Sequence, residues 1–247
     1  MQLTDILSRI ARTIEYVDKS TTIQNINKKT GPYLQSYSTL FEKQQVSEIF
    51  QYWPIVHPDD SLDFSLEVNY PSNKKIRCDA GISLNPNRKK EALLDWALEL
   101  KYLRSIGDNG KKNDFFVGKA VSPYLHERSS VLDAKRLSDE LSTNKFCKKA
   151  AVIMYGFEYS EDSIRFSERV SESTGEYGRL HELKKTVDSF GGNLSLSPII
   201  DLFEVAARQY VKLGPVQTLE FGPLEKHPCA THGKLIGWEI LCGGSNS

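Results

Sequence analysis

Asp79, Glu99 and Lys101 are charges set inside runs that otherwise read as apolar strands, Ile76-Arg77-Cys78-Asp79-Ala80-Gly81-Ile82 and Trp96-Ala97-Leu98-Glu99-Leu100-Lys101-Tyr102. Side chains two apart on a strand share a face, so Glu99 and Lys101 point one way and Trp96, Leu98, Leu100 and Tyr102 the other. If the Asp79 strand lies beside this one, two carboxylates and an ammonium converge. Repulsion between the acids must then be relieved by a proton or by a cation. A cation is the expected relief. Two hard oxygen ligands with room for water and phosphate oxygens suit Mg2+, with Mn2+ as its substitute, better than zinc. The chemistry open to such a site is metal-assisted phosphodiester hydrolysis, with Asp79 and Glu99 on the ion and Lys101 acting on water. A structural ion-pair cluster is the competing reading.

Other residues could extend the site. Glu48, ahead of Glu42, is expected to bring a further carboxylate from a helix, and Glu67 faces either the site or water beside Asp63 and Ser65. His126 and Arg128 follow closely enough to touch a scissile phosphate, a role that suits a guanidinium, although loop residues of this kind are more often structural or exposed. Arg88, Lys89, Lys90, Arg104, Lys111, Lys112 and Lys119 flank the acids, where phosphate-positioning contacts would be useful. Gly107 and Gly110 bracket a turn that would let backbone approach a ligand or would simply be a solvated loop. His227, Cys229 and His232, with no evident fourth partner, are a weak signal for zinc. A Walker loop, a Gly-X-Ser-X-Gly elbow and a His-Glu-X-X-His helix are all absent from the sequence, which disfavours those hydrolase classes.

The elements that must hold these residues are legible from periodicity. Leu3, Ile6, Leu7, Ile10 and Ile14 repeat at helical spacing, and Leu34, Tyr37, Leu40, Phe41, Ile49 and Phe50 fit a second helix that Pro54 and Pro58 should end. Asp63 to Tyr70 alternates, with Phe64, Leu66, Val68 and Tyr70 expected on one face. Pro71-Ser72-Asn73 turns this strand into Lys75 to Leu84, a hairpin. Leu93 to Leu103 is the next strand, Ser130 to Leu141 a helix, and Lys149 to Phe157 a buried strand. A helix and then a strand after acid-X-Lys is the crossover of an α/β core. Two more helices, Tyr177 to Phe190 and Ser197 to Leu213, precede a short closing strand from Leu235 to Leu241.

In these residues the chain resembles the PD-(D/E)XK nuclease superfamily, whose signature is an acid on one strand and acid-X-Lys on the next. Asp79 falls on the first acid, Glu99 on the second and Lys101 on the lysine, the acids 99 − 79 = 20 positions apart. Cys78 stands where the superfamily often has proline. Further along, Tyr102-Leu103-Arg104, Gly107 to Asp114, Ser122 to Ser129, Asp133 to Leu137 and Ala151 to Phe157 are similar to a group of bacterial restriction-endonuclease-like proteins. His227-Pro228, His232-Gly233 and Gly237-Trp238-Glu239 resemble the end of the same group, so the likeness runs from about Val68 to Leu241. It implies a restriction-endonuclease-like α/β core, a mixed sheet flanked by helices, and a nuclease site, but it carries over no substrate; the expectation is an Mg2+-dependent endonuclease, with DNA favoured over RNA. Restriction of foreign DNA is the setting that analogy of fold suggests. The alternative is the same fold used, without cleavage, to bind nucleic acid or a protein partner.

Composition is compatible with this reading. The 247 residues can bury a full core as a single nuclease-like domain, with N-terminal helices over 1–53, a catalytic core over 60–160 and C-terminal helices with the closing strand over 161–247. No apolar run is long enough to span a bilayer and the start lacks a signal-like segment, so a cytoplasmic protein without membrane contact, possible as a homo-oligomer, is expected. Four scattered cysteines fit neither a zinc ribbon nor a disulfide framework. With 32 basic and 32 acidic residues, affinity for nucleic acid has to come from a local patch.

Overall fold

The computed structural model describes residues 1–20, 37, 40–85, 93–107, 109–113, 121–122, 129–143, 146–175, 177–225 and 230–242. Their frame is a mixed seven-stranded sheet in the order β1-β2-β3-β4-β7-β5, with β6 also on β7. The strands are β1 (Asp63–Asn69), β2 (Arg77–Ser83), β3 (Leu94–Leu103), β4 (Cys147–Glu158), β5 (Lys212–Leu213), β6 (Gln217–Phe221) and β7 (His232–Leu241). β1 and β2 form the expected antiparallel hairpin, and β2 runs antiparallel to β3. β3 and β4 are parallel, which requires a crossover. Helix α3 (Ser130–Ser142) lies within that crossover, started by Ser129, whose hydroxyl accepts from the Leu132 amide.

Both faces of the sheet are covered. On one, α1 (Leu3–Ser20) and α2 (Glu42–Val56) pack Ile6, Ile10, Ile49 and Trp53 against Ala80, Trp96, Leu98 and Tyr155. On the other, α3 and α6 (Pro198–Ala207) pack Ala134, Leu137 and Phe203 against Ala97, Val152 and Trp238. Helices α4 (Glu161–Thr174) and α5 (Tyr177–Asp188) complete the set. No helix among the described residues is long and apolar enough to cross a membrane.

Several expectations need correction. Helix α2 continues through Pro54 to Val56, and the part of the expected second helix before Leu40 lies, apart from Tyr37, outside the described residues. The last helix is shorter than expected, because Lys212–Leu213 pairs with β7. The closing strand is no short appendage. It spans ten residues and pairs with β4, β5 and β6, so the segment after residue 160 builds the sheet's second half.

The hairpin carries the correction that matters most for the site. Phe64 packs with the α1–α2 side, whereas Val68 and Tyr70 pack with the α3 side, and Ala80 and Cys78 divide in the same way. A single face was expected. The switch is centred on Glu67, whose φ of 53° is the only positive value at a non-glycine among the described residues. Beyond this point β2 no longer follows β3: their pairing is confined to Ala80–Leu98, Gly81–Ala97 and Ile82–Trp96.

Candidate active site

Where β2 leaves β3, side chains replace its backbone as partners of the exposed strand edge. The Cys78 thiol donates to the Leu98 carbonyl at 3.1 Å, and burial pushes its pKa well above the usual value, so it persists as a donor. The Leu100 amide donates to Asp79 Oδ2 at 2.8 Å, and the Tyr102 amide to Glu42 Oε2 at 2.7 Å. Buried strand amides need acceptors, and here two of the acceptors are ionisable.

These bonds set Asp79 against the stretch of β3 that carries Glu99 and Lys101. The Asp79 and Glu99 carboxyls are close enough to influence one another's protonation, and Tyr70 donates from its hydroxyl to Glu99 Oε1. Burial pushes the Asp79 carboxyl up to about 6, opposed by the Leu100 amide and by Glu99. Glu99, only 7 % exposed, is raised well above the carboxylate range by burial and then by the Asp79 charge. Both carboxyls are therefore held toward their protonated forms. In this state a proton, the other of the two reliefs considered above, offsets the repulsion between the acids.

Lys101 donates to Glu42 Oε1 at 3.0 Å, so one carboxylate of α2 binds both the ammonium and the following strand amide. Burial works against the ammonium, but Glu42 and then Asp133 hold its pKa above normal. Asp133 was not predicted as a site residue. It lies in the first turn of α3, is 8 % exposed and pairs with Arg136 at 3.0 Å. Burial raises its carboxyl while Lys101 and Arg136 lower it. A negative residue near the start of a helix that follows acid-X-Lys was the available sequence signal.

The expectation that Glu48 would reach the pair is corrected to Glu42. On α2 the row Glu42, Val46, Ile49 and Trp53 faces the sheet, at the three- and four-residue steps of one helix face. Glu48 falls off that row. It is half-buried, its carboxyl is raised by burial, and it has no hydrogen bond or ion pair among the described residues. Gln45 seats the helix, accepting from the Tyr155 hydroxyl at 2.8 Å and donating to the Tyr37 carbonyl at 3.0 Å.

The proposed phosphate contacts fare unevenly. His126 and Arg128 lie outside the described residues, as do Arg88, Lys89, Lys90, Lys119, His227 and Cys229. Arg104 is half-buried just past β3, Lys111 is exposed, and Lys112 places Nζ 5.1 Å from the centre of the Phe190 ring. Gly110, at φ 79°, meets protein: a Cβ there would lie 2.4 Å from the Arg179 carbonyl, and Thr186 donates to the Gly110 carbonyl at 3.0 Å. That turn docks on α5.

Comparison of the chain with protein-family models, curated proteins and solved structures found no match. The site therefore has to be read from its own chemistry. Among the described residues no group of three or more His, Cys, Asp and Glu side chains is arranged to hold a metal ion. The donor set nevertheless suits a hard divalent cation. Asp79, held by the Leu100 amide, and Glu99, held by Tyr70, are the oxygen donors that would take such a cation, with water and phosphate oxygens completing its shell. Asp79 also lines a cavity of about 80 Å3 with Lys43, Val46, Ser47, Leu66 and Glu67, so this acid is reachable from outside.

Proposed function

We propose that the chain is a magnesium-dependent nuclease that hydrolyses phosphodiester bonds, in DNA before RNA, within a restriction-endonuclease-like core. The observation that carries this reading is the bond from the Leu100 amide to Asp79 at the divergence of β2 and β3, which sets that carboxylate beside Glu99, with Lys101 two residues along the same strand. Asp79 and Glu99 would hold the cation, which when bound supplies charge neutralisation and a more acidic water. Tyr70 and the Leu100 amide orient the two carboxyls through bonds they already make. Lys101, kept protonated by Glu42 and Asp133, is a cation placed to orient water and to offset charge developing on the phosphate. A role in defence against foreign DNA goes with this proposal by analogy of fold only.

One observation favours a second reading. The Lys101 ammonium is already paired with Glu42, as it would be in a purely structural cluster of a non-cleaving module that binds nucleic acid or a protein. Cleavage assays with Mg2+ or Mn2+, run beside calorimetric metal binding, separate the two. The nuclease reading expects DNA cutting that chelation abolishes, Lys101→Ala losing roughly 10²-fold or more in rate while still binding metal, and Asp79→Ala losing both. Equal cutting by all three proteins would show that the trio is structural, and a parent inactive on DNA and RNA would leave the module.

A further inference from the structure

Arg77, Lys75 and Arg136 line a cleft of about 520 Å3 together with Ile76 and Glu67. None of these was a predicted phosphate contact. Arg77 and Lys75 are exposed on the hairpin, whereas Arg136 reaches in from α3, where it is paired with Asp133. With Arg136 offset by Asp133 and Arg77 beside Glu67, Lys75 leaves the lining one positive charge in excess, in a chain whose net charge is zero. Such a local patch is what affinity for a polyanion requires here.

Glu67 lines both this cleft and the cavity that Asp79 lines. Across the hairpin the pairs Leu66–Ala80 and Val68–Cys78 put Glu67 opposite Asp79. Its carboxylate lies 3.1 Å from Lys43 and 3.5 Å from Arg77, the geometry an anion would adopt between those cations. Its φ of 53° is a conformation that costs a side-chain-bearing residue free energy, and such outliers persist where the surrounding structure imposes them.

We infer that this cleft is a subsite for backbone phosphates of a nucleic acid, and that Glu67 holds the place of one phosphate until substrate displaces it. The inference rests on the phosphodiester reading of the adjoining acids, which it deepens by naming the groups that would grip the strand. Arg77 and Lys75 take phosphate oxygens, Lys43 exchanges Glu67 for a phosphate, and the bound strand passes beside Asp79.

Binding of a fluorescent duplex oligonucleotide to the full chain, measured in chelator across a salt series, tests this apart from cleavage. The expected result is that Lys75→Ala/Arg77→Ala binds about tenfold more weakly with a salt slope shallower by about two, while Glu67→Gln binds about threefold more tightly. Thermal melts check that all variants are folded, which the exposure of Lys75 and Arg77 favours. If the parent binds and the double variant binds equally well, the subsite is overturned even if the protein cuts DNA. Unchanged or weaker binding by Glu67→Gln overturns the place-holding role. A parent that binds through Lys75 and Arg77 yet never cuts would uphold the subsite and sink the nuclease reading. A parent that binds no oligonucleotide overturns the subsite.

Discussion

Lys101 Nζ and Glu42 Oε1 are 3.0 Å apart, joining the third strand of the sheet to a helix 59 positions earlier in the chain. The same carboxylate accepts from the Tyr102 amide, so α2 is bonded to two successive residues of β3 at the proposed site. Replacing Glu42 by alanine removes both bonds at once. The expected cost is about 1–3 kcal/mol, read as a lower denaturation midpoint at unchanged slope. A Glu48→Ala variant, off the sheet-facing row, should stay within about 0.5 kcal/mol of the parent.

The acid pair makes stability depend on pH in an unusual direction. Asp79 keeps its proton to about pH 6 in the folded chain, against an ordinary value of 3.8. Between those values the folded state binds more protons than the unfolded state, so stability falls as pH rises through this range. Glu99, also raised, adds to the same trend. Asp79→Asn should flatten the dependence and gain on the order of 1 kcal/mol over the parent at pH 7.5 relative to pH 4. Denaturant titrations of both proteins from pH 4 to 7.5 measure it, and parallel curves would remove Asp79 as the cause.

A divalent cation should reverse this loss. Where the carboxyls are ionised, Mg2+ or Mn2+ bound only by the folded chain stabilises it, by about 2.7 kcal/mol at a hundredfold excess over Kd. The melting temperature of the parent at pH 7.5 should therefore rise with added cation and fall again with chelator, whereas Asp79→Asn should respond weakly. A parent unaffected by either ion would count against metal binding at the pair.

Gly156 sets the distance between the two parallel strands. A Cβ at this position would lie 2.4 Å from the Leu103 carbonyl oxygen and 3.1 Å from Leu196, and the first of these is backbone that cannot turn aside. Gly156→Ala should cost about 2–3 kcal/mol. Gly175→Ala is not a clean control despite its open surroundings, because its φ of 74° penalises any side chain. Gly178→Ala, in open space on a helix, is the control expected to be neutral or slightly stabilising.

The hairpin, β3, α3 and β4 were legible because their apolar residues alternate or run continuously and turn residues separate them. Helix α4 was not, for a physical reason. Its inward positions include Ser163, Ser167 and Ser171, all nearly fully buried, so a helical repeat exists that no hydrophobic pattern marks. β6, Gln217 to Phe221, is short and buries only Phe221, and it forms because β7 offers it an edge. At the site, strand parity was enough to put Glu99 and Lys101 together. Choosing between Glu42 and Glu48 needed the rotation of α2 about its axis, which Gln45 fixes through its bond with Tyr155, 110 positions away in the chain. The switch at Glu67 was hidden because positive φ is signalled in sequence chiefly by glycine, and here a glutamate adopts it.

In an ordinary ladder a strand amide is protected from solvent exchange by a neighbouring carbonyl, and only opening of the sheet exposes it. The amides of Leu100 and Tyr102 are held instead by the carboxylates of Asp79 and Glu42. Their protection therefore depends on charge as well as on geometry. For Asp79, with its pKa about 6, near-neutral conditions sweep the acceptor from acid to anion. At Leu100 the rigidity of the strand and the ionic state of the site become one variable, visible in the resonance of a single backbone nitrogen.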